Sequence, residues 1–264
     1  MNPPTTDPSA PDPHLCGLLR NHRKILIFTG AGISTPSGIA DFRGPGGVWS
    51  RRKPIYYNDF MTSEAARIEH WSFKLEGWKS FHDAQPNPIH DAIVDLEKAG
   101  HLLKVVTQNI DGLHQKAGTS ADRLVELHGT NLQVECQSCR ERSDPDLHFA
   151  YFRRTGQPPH CPCGGYLKPA TISFGQNLRP QDINAAEQAA DEADLVVALG
   201  STLSVYPAAI IPLLATRHGA SYAVINRGPT EHDDEPAVTL RLEGDASIIF
   251  PRAVENVFTS SDHS

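Results

Sequence analysis

Four of the five cysteines in this 264-residue chain stand in two close pairs. Two residues separate Cys136 from Cys139 and, after 21 intervening residues, one residue separates Cys161 from Cys163. Such pairs supply the four thiolates of a tetrahedral zinc site, and a complete sulfur shell leaves no position at which the metal could activate water. The spacing predicts one structural Zn²⁺ per chain, with free thiols or a redox pair as alternatives. Because the second pair is tighter than usual, His160 stays open as a substitute ligand.

His128 is the histidine best placed for acid–base chemistry. It follows the strand-like residues 124–127 and precedes Gly129, so its imidazole is displayed at a loop edge. A neutral imidazole with a pKa of about 6.5 is well suited to general-base catalysis at neutral pH. The chain contains 13 histidines, so residue type alone does not select this one. Its position beside other polar motifs makes it the candidate base.

A glycine turn follows the apolar run at residues 24–28. Gly30, Ala31 and Gly32 would let backbone amides approach a phosphate at the start of a helix. A turn that merely closes a strand–helix connection is the alternative. The dehydrogenase fingerprint requires a third glycine where Thr35 stands, and an acidic residue about 20 positions further on, where there is none. The sequence therefore disfavours a hydride-transferring dehydrogenase.

Further polar clusters follow other apolar runs. Amide and carboxylate groups at 107–111 could orient an amide-bearing substrate, although such residues also form ordinary turns. The acid, aromatic ring and guanidinium at 41–43 suit a charged, ring-containing ligand, or else form a surface salt bridge. If the strands are parallel, the clusters at their ends converge on one edge, which favours a nucleotide site. The polar residues concerned are Asp41, Phe42, Arg43, Gln108, Asn109, Asp111, Gly200, Ser201, Thr202, Ser204, Asn226 and Arg227.

Strands and helices alternate along the chain, and these elements must position the polar groups. The predicted strands are residues 24–28, 104–107, 195–199 and 221–225, and the predicted helices are residues 90–98 and 183–193. This alternation predicts an α/β fold in which a parallel sheet is covered by helices on both faces. The aromatic-rich residues 46–88, helical over 64–74, and the cysteine-rich residues 131–170 interrupt the alternation. We expect these two insertions to form a smaller lobe.

Composition excludes several classes of protein. The net charge is −7 and the only polybasic run is residues 51–53, so nucleic acid is not expected as a direct partner. No apolar run approaches the roughly 18 residues that span a membrane. Residues 1–14 contain five prolines and no apolar run, which predicts a disordered tail and not a secretory signal. We therefore expect a cytoplasmic protein with reduced cysteines.

Taken in order over residues 24–250, these motifs resemble the sirtuin family of NAD-dependent protein deacylases. The resemblance implies a Rossmann-like domain of residues 15–45, 89–130 and 171–258, with a small lobe made of a helical module (46–88) and a zinc ribbon (131–170). It implies NAD as co-substrate, acyl-lysine proteins or peptides as partners, and transfer of the acyl group, acetyl first, to ADP-ribose. Protein mono-ADP-ribosyl transfer from the same pocket is an alternative, and a non-enzymatic NAD sensor is a third.

The resemblance also implies roles for single residues. His128 would act as general base on a ribose hydroxyl, and Asn109 and Asp111 would hold the nicotinamide amide. Phe174, Gly175 and Gln176 would border the acyl-lysine channel and pair with the peptide. The implied NAD contacts are Gly30, Ala31, Gly32, Ser34, Asp41, Phe42, Arg43, Trp49, Gln108, Asn109, Ile110, Asp111, Gly200, Ser201, Thr202, Ser204, Asn226, Arg227, Asp245 and Ala246.

Two departures from the family pattern concern the substrate. Gln176 stands where many relatives have glutamate, and we expect the lost carboxylate to affect peptide preference while main-chain pairing survives. Relatives that remove succinyl or malonyl groups carry a Tyr-x-x-Arg pair in the stretch that corresponds to residues 70–78, which lacks it. An acidic acyl group would lack its guanidinium partner, so the sequence favours neutral acyl groups.

Overall fold

A six-stranded parallel sheet forms the centre of the protein, which we describe from a computed structural model over residues 10–41, 47–48 and 52–259. Its strand order is β3-β2-β1-β7-β8-β9, and a smaller antiparallel sheet has the order β5-β4-β6. The strands are β1 (Ile25–Thr29), β2 (Leu102–Thr107), β3 (Leu124–Glu126), β4 (Gly129–Cys136), β5 (Arg142–Ser143), β6 (Leu167–Thr171), β7 (Leu195–Leu199), β8 (Ser221–Asn226) and β9 (Leu240–Glu243).

Helices connect most of these strands. They are α1 (Pro13–Asn21), α2 (Tyr57–Thr62), α3 (Glu64–Asp83), α4 (Pro88–Lys98), α5 (Leu113–Ala117), α6 (Pro145–Thr155), α7 (Pro180–Glu192), α8 (Ile210–Arg217) and α9 (Ala246–Val254). A 3-10 helix (Ala31–Ser37) follows β1, a second one (Ala121–Arg123) precedes β3, and a π-helical turn (Glu255–Thr259) follows α9. The start of α4 shows how local sequence sets an element: Asn87 and His90 form a capping box around Pro88.

The register of the large sheet brings the carboxyl ends of its strands to one level. Thr29 lies opposite both Thr107 and Leu199, and Thr107 lies opposite Glu126. At the other side of the sheet, Asn226 lies opposite Glu243. Because all six strands are parallel, the segments that follow them emerge along the same edge. The convergence expected for parallel strands is therefore present.

Apolar side chains of the large sheet enter two cores, one on each face. Ile25 and Ile27 belong to a cluster with residues of α1, α4 and α9, whereas Leu26 and Phe28 belong to a cluster with residues of α7 and α8. Successive strand residues point to opposite faces, so a strand that is buried throughout serves both cores. The predicted α/β fold with helices on both faces is confirmed.

The smaller sheet and the helices α2, α3 and α6 share a third apolar core. Trp71 of α3 packs against Phe149 and Phe152 of α6, at ring-centroid distances of 5.4 and 6.1 Å. Its indole N–H donates to the carbonyl oxygen of Leu167 in β6 (3.1 Å). Helix α3 continues past the predicted end at residue 74 to Asp83, because Trp78 stacks on Phe149 at 4.8 Å. Helices and strands from separate stretches of the chain thus share one core.

The beginning of the chain differs from its prediction. Helix α1 starts at Pro13, inside the range 1–14 expected to be a tail, because Asp12 caps it by accepting a hydrogen bond from the Leu15 amide (2.9 Å). Leu15 and Cys16 of this helix are buried in the core. Residues 1–9 of the predicted tail lie outside the described residues. Within the described part of the chain, no helix has both the length and the apolar character to cross a membrane.

Candidate functional site

A buried network of three polar side chains occupies the carboxyl edge of the large sheet. The Asn109 carboxamide, in the loop after β2, donates to the Gly30 carbonyl and to the Ser34 hydroxyl, both at 3.1 Å. Ser34 in turn donates to a carboxylate oxygen of Asp111 (2.7 Å), and the Leu113 amide donates to the other (2.9 Å). Burial raises the pKa of Asp111, with the hydrogen bonds acting against it. The turn after β1 and the loop after β2 therefore form one polar surface.

Buried hydroxyl and imidazole groups at the ends of β1 and β2 and in α5 hold this network in place. The Thr29 hydroxyl donates to that of Thr107 (2.7 Å), which also accepts the Asn109 amide (3.0 Å). His114 lies 3.1 Å from the Thr29 hydroxyl and stacks edge-on against His90. Burial lowers the pKa of His114 to about 3 and that of His90 to about 4, so both rings are neutral. These side chains position the loop that carries Asn109.

The half-buried ring of His128 is oriented by the backbone. Its Nδ1 lies 3.0 Å from the carbonyl oxygen of Gln108. A carbonyl oxygen only accepts hydrogen bonds, so Nδ1 carries the proton and Nε2 is the basic nitrogen of the neutral ring. Gln108 immediately precedes Asn109 in the chain. The residue that orients the candidate base is therefore the direct neighbour of a member of the buried network. The arrangement suits general-base catalysis beside an amide-binding loop.

Glycines allow the turn after β1 to touch the loop after β7. A Cβ atom on Gly30 would lie 2.7 Å from the Gly200 carbonyl oxygen, and one on Gly32 would lie 2.8 Å from the same atom. The Gly32 amide donates to that oxygen (2.8 Å), and the Gly30 amide donates to the Leu199 carbonyl (3.0 Å). The sequence suggested that these glycines let a phosphate approach; the contact they make within the chain is with the neighbouring loop.

The loop after β7 is also connected to the loop after β2. The Gln108 side chain donates to the Ser201 hydroxyl (2.9 Å), which also accepts the Leu203 amide (3.1 Å). Thr202 and Ser204 share a hydrogen bond of 2.8 Å between their hydroxyls. Gln108 and Ser201 thus belong to the same site as Asn109.

A second group of predicted residues gathers at the ends of β8 and β9. The Asn226 carboxamide donates to the carbonyls of Arg227 and Gly228, both at 3.1 Å. Arg227 pairs with Asp245 at 2.7 Å, and Asp245 caps α9, whose first residue is Ala246. Burial acts to raise the pKa of Asp245, but hydrogen bonds from Ser247 and the charge of Arg227 lower it overall. This group continues the edge beyond the β7 loop.

The predicted site residues at positions 41–49 are only partly covered by the structure. Asp41 accepts the Val48 amide through its carbonyl oxygen at 3.0 Å. Phe42, Arg43 and Trp49 lie outside the described residues.

The predicted substrate segment lies next to His128. The Ile172 amide donates to the His128 carbonyl (2.8 Å), and the segment that follows forms a turn. The Phe174 carbonyl accepts the Tyr57 amide (2.9 Å), which ties the turn to α2. Gln176 folds back, so that its side-chain oxygen accepts the Ser173 amide (3.1 Å). The amide that replaces the usual carboxylate thus closes this turn.

The four paired cysteines form one cluster with their sulfur atoms within 4.8 Å of one another. Cys136 and Cys163 are 3.6 Å apart, and Cys139 and Cys161 are 3.7 Å apart. Zn–S bonds of about 2.3 Å at tetrahedral angles require sulfur separations of about 3.8 Å, so the thiols fit a zinc ion. Desolvation acts to raise the pKa of Cys136, but backbone N–H groups of the Cys139 turn lower it to about 6. His160 is exposed and is not part of the cluster.

Sequence reasoning missed the supporting residues of the site. The sequence predicts no role for Thr29 or His114, and it places Thr107 in the polar cluster at 107–111 without indicating its contacts, because these contacts cross between strands and depend on the sheet register. The weak signal available was that a threonine ends both β1 and β2. The edge offers backbone amides, hydroxyls, carboxamides, the carboxylates of Asp111 and Asp245, and the imidazole of His128. That donor and acceptor set fits the phosphates, ribose hydroxyls and amide of a nicotinamide dinucleotide.

Comparison with known proteins agrees with this geometry. The chain is 42% identical over 225 residues to a protein of Rhodopseudomonas palustris named NAD-dependent protein deacetylase, covering 85% of this chain and 89% of the relative. A relative of the same name from Caldivirga maquilingensis is 39% identical, with 88% of each chain covered.

Solved structures show the same similarity. A Sir2 complex with a p53 peptide and NAD+ superposes with a TM-score of 0.83 at 34% identity, covering 94% of this chain and 99% of the other. Sir2Tm bound to a propionylated peptide gives 0.80 at 34%, covering 92% and 96%. The sequence model of the Sir2 family matches residues 30–207. The resemblance to the sirtuins is thereby confirmed, and the chain belongs to the Sir2 family.

Proposed function

We propose that this chain is an NAD-dependent protein-lysine deacylase, acting first of all on acetyl-lysine. It transfers the acyl group to ADP-ribose and releases nicotinamide and free lysine. The observation that carries the proposal is the position of His128, whose basic nitrogen is set by the Gln108 carbonyl beside the Asn109 network. Relatives named NAD-dependent protein deacetylases, and Sir2 structures with NAD+ and peptides, support NAD as co-substrate and acyl-lysine peptides as partners.

Different residues of the edge would bind different parts of NAD. Asn109 and Asp111, held by Ser34, would bind the nicotinamide amide. The amides and hydroxyls of the β1 and β7 loops would bind the phosphates and the nearby ribose. Asn226 and Asp245 would face the adenosine end. Phe42, Arg43 and Trp49 keep the cofactor roles that the family resemblance implies.

Bound NAD would supply an electrophilic ribose carbon and two ribose hydroxyls. His128 Nε2 would accept the proton of one hydroxyl, while the Gln108 carbonyl holds the proton on Nδ1 and stabilises the charged ring. Asn109 and Asp111 are buried, which would limit the access of water to the bound amide. The imidazole therefore serves the acyl-transfer chemistry more than the binding of NAD.

The zinc ion would have a structural role. Four thiolates would saturate it, so it offers no open coordination position. Strand β4, which carries Cys136 at its end, begins at Gly129 immediately after His128. A zinc ion at the cysteines would therefore stabilise the strand that leaves the catalytic loop.

The lobes would serve different partners. In the proposed division, residues 15–45, 89–130 and 171–258 bind NAD, and residues 46–88 and 131–170 form the small lobe that helps to hold the peptide. A cytoplasmic location, where thiols stay reduced, would suit the five cysteines, none of which forms a disulfide.

Incubation with NAD and an acetyl-lysine peptide tests the proposal, with nicotinamide and acyl-ADP-ribose measured together. We expect His128→Ala to lower turnover about 100- to 10,000-fold without changing thermal stability appreciably. His218→Ala, at an exposed histidine paired with Asp191, is the matched control and should keep full activity. Near-normal turnover by His128→Ala would refute the catalytic role. ADP-ribose attached to protein without loss of acyl groups would identify a mono-ADP-ribosyltransferase.

A further inference from the structure

Two neighbouring imidazole rings behind the candidate site each have one ring nitrogen without a hydrogen-bond partner. His90 of α4 is 0% exposed and His114 of α5 is 1% exposed. Among the described residues, nothing pairs with Nε2 of His90 or with Nδ1 of His114. Buried polar atoms are costly when unpaired, and protein groups or ordered water usually satisfy them. These two nitrogens therefore need a partner.

The unpartnered nitrogen of His90 is a hydrogen-bond donor. Its other nitrogen, Nδ1, accepts the backbone amide of Asn87 (3.3 Å) in the cap of α4. In a neutral imidazole one nitrogen accepts and the other carries the proton, so the proton of His90 is on Nε2. Burial lowers the pKa of this ring to about 4, so the ring carries only that proton at neutral pH.

The unpartnered nitrogen of His114 is a hydrogen-bond acceptor. The Thr29 hydroxyl gives its single proton to Thr107 (2.7 Å), so it can only accept from His114 Nε2, which lies 3.1 Å away. The neutral ring therefore carries its proton on Nε2 and leaves Nδ1 as a bare acceptor. Burial lowers the pKa of His114 to about 3, with repulsion from His90 adding to it, so Nδ1 stays unprotonated at neutral pH.

The two unpartnered atoms are complementary and belong to rings in contact. The ring centroids are 5.0 Å apart and the ring planes meet at 61°. One small molecule that accepts from His90 and donates to His114 would satisfy both atoms. Water has this combination of donor and acceptor, and buried waters typically bind such polar groups. A metal cation does not fit, because it would meet the proton on His90 Nε2.

Hydrogen bonds lead from His90 to the 3-10 helix that follows β1. The Asn87 carboxamide donates to the Ile33 carbonyl and to the Ser37 hydroxyl, both at 2.8 Å. Asn87 is itself buried, so these bonds are shielded from solvent. Ser34, a member of the buried polar network, belongs to the same 3-10 helix. His90 is thus connected to one side of that network.

Hydrogen bonds lead from His114 to the loop after β2. Thr29 links His114 to Thr107. The Thr107 hydroxyl accepts the Asn109 amide (3.0 Å), and the Asn109 carboxamide donates to Ser34 (3.1 Å). The two paths therefore meet at the 3-10 helix. A molecule bound between the imidazoles would complete a closed ring of hydrogen-bonded segments behind the site.

We propose that one ordered water molecule binds between His90 and His114, accepting a hydrogen bond from Nε2 of the first and donating one to Nδ1 of the second. The water site itself is independent of the proposed function, whereas its effect on NAD rests on that function. The closed ring would fix the Asn109 loop against the 3-10 helix, and these two segments would bind the nicotinamide amide. His90 is then a positioning residue, because it acts through other groups.

A crystal structure of the full chain, at a resolution that shows ordered water, tests the site directly. We expect one water molecule within about 3.2 Å of both nitrogens. Imidazoles that bond directly to each other or to another protein group would overturn the proposal. Nitrogens without any water between them would overturn it as well.

Two substitutions of His90 test the positioning role. His90→Leu and His90→Gln both remove the ring nitrogen that accepts the Asn87 amide, but glutamine keeps an N–H donor for the water. Calorimetry with NAD in the absence of peptide compares their affinities. We expect His90→Leu to bind NAD about 3- to 10-fold more weakly than His90→Gln. His70→Leu, which removes a buried ring of α3 outside these paths, is the control and should bind NAD as the wild type does.

The outcomes separate the water site from the proposed function. Equal NAD affinities of the two His90 variants would refute the positioning role. A wild-type protein that does not bind NAD would refute the proposed function, and the crystal structure would still decide whether water binds between the imidazoles.

Discussion

The buried carboxyl group of Asp111 belongs to the candidate site and at the same time lowers the stability of the fold. It is 3% exposed and holds two hydrogen bonds, yet burial still raises its pKa. An acid with a raised pKa stabilises the fold most when it is protonated, at low pH, and this contribution is lost as the pH rises through the folded-state pKa. At neutral pH the carboxylate is therefore retained at the expense of stability.

Replacing Asp111 by asparagine should remove this cost. We expect Asp111→Asn to raise the free energy of unfolding at neutral pH and to have a diminishing effect as the pH falls towards the ordinary range of an aspartate. Urea unfolding of both proteins across that pH range measures the difference. Nicotinamide release should fall in the same variant, because Ser34 would lose its carboxylate partner. A variant that is less stable at neutral pH would contradict the proposed cost.

At the residue scale, the sequence predicts the polar side chains that follow the strands. It does not predict the buried side chains that hold those loops in place. Asn109 and Asp111 could be chosen because amides and acids after an apolar run suggest a site. The contacts of Thr107 and His114 could not be predicted, since their partners are fixed only when neighbouring strands are in register.

Among the elements, the turn after β1 is held close to the β7 loop by glycine. We expect Gly30→Ala to destabilise the protein by about 1–3 kcal/mol, because its Cβ atom would lie 2.7 Å from the Gly200 carbonyl. Gly17→Ala in α1 is the control: its Cβ would meet nothing within 4 Å and should stabilise by about 0.5–1 kcal/mol. Urea unfolding measures both. Equal stability changes in the two variants would argue against the close contact.

The sequence predicts the boundaries of a strand well when the whole strand is buried. It predicts them poorly when contacts with distant segments determine where an element ends. Strand β7 matches its prediction and is buried throughout, since a wholly apolar run has few alternatives. Strand β9 was not predicted: it is short, only partly buried and lies at an edge, so its side chains carry no clear pattern. Helix α3 was predicted too short because the contact of Trp78 with Phe149 that extends it joins distant segments.

For the whole molecule, the cysteine cluster should couple metal content to the integrity of the small lobe. We expect Cys136→Ser to lose zinc and to unfold at a lower temperature, because a structural zinc site contributes on the order of 10 kcal/mol of binding free energy. Cys16→Ser, at the buried cysteine outside the cluster, should keep one zinc per chain. Metal analysis and thermal unfolding distinguish the two. Retention of zinc by Cys136→Ser would refute the ligand assignment.

At this scale the sequence predicted the class of fold but not the arrangement of the sheet. Alternating strands and helices indicate a parallel sheet, yet the order that places β1 beside both β2 and β7 arises only in three dimensions. The core around Trp71, which joins α2, α3, α6 and the smaller sheet, could not be predicted from composition, because it brings together distant stretches of the chain.

The polar edge draws its members from segments far apart along the chain. Asn109 reaches back 79 residues to Gly30, Gln108 reaches forward 93 residues to Ser201, and Asp245 follows still later. The edge can therefore be complete only after the ribosome has released nearly the entire polypeptide. We therefore expect full affinity for the dinucleotide only in the finished chain, and weaker binding by shorter fragments that lack the later segments.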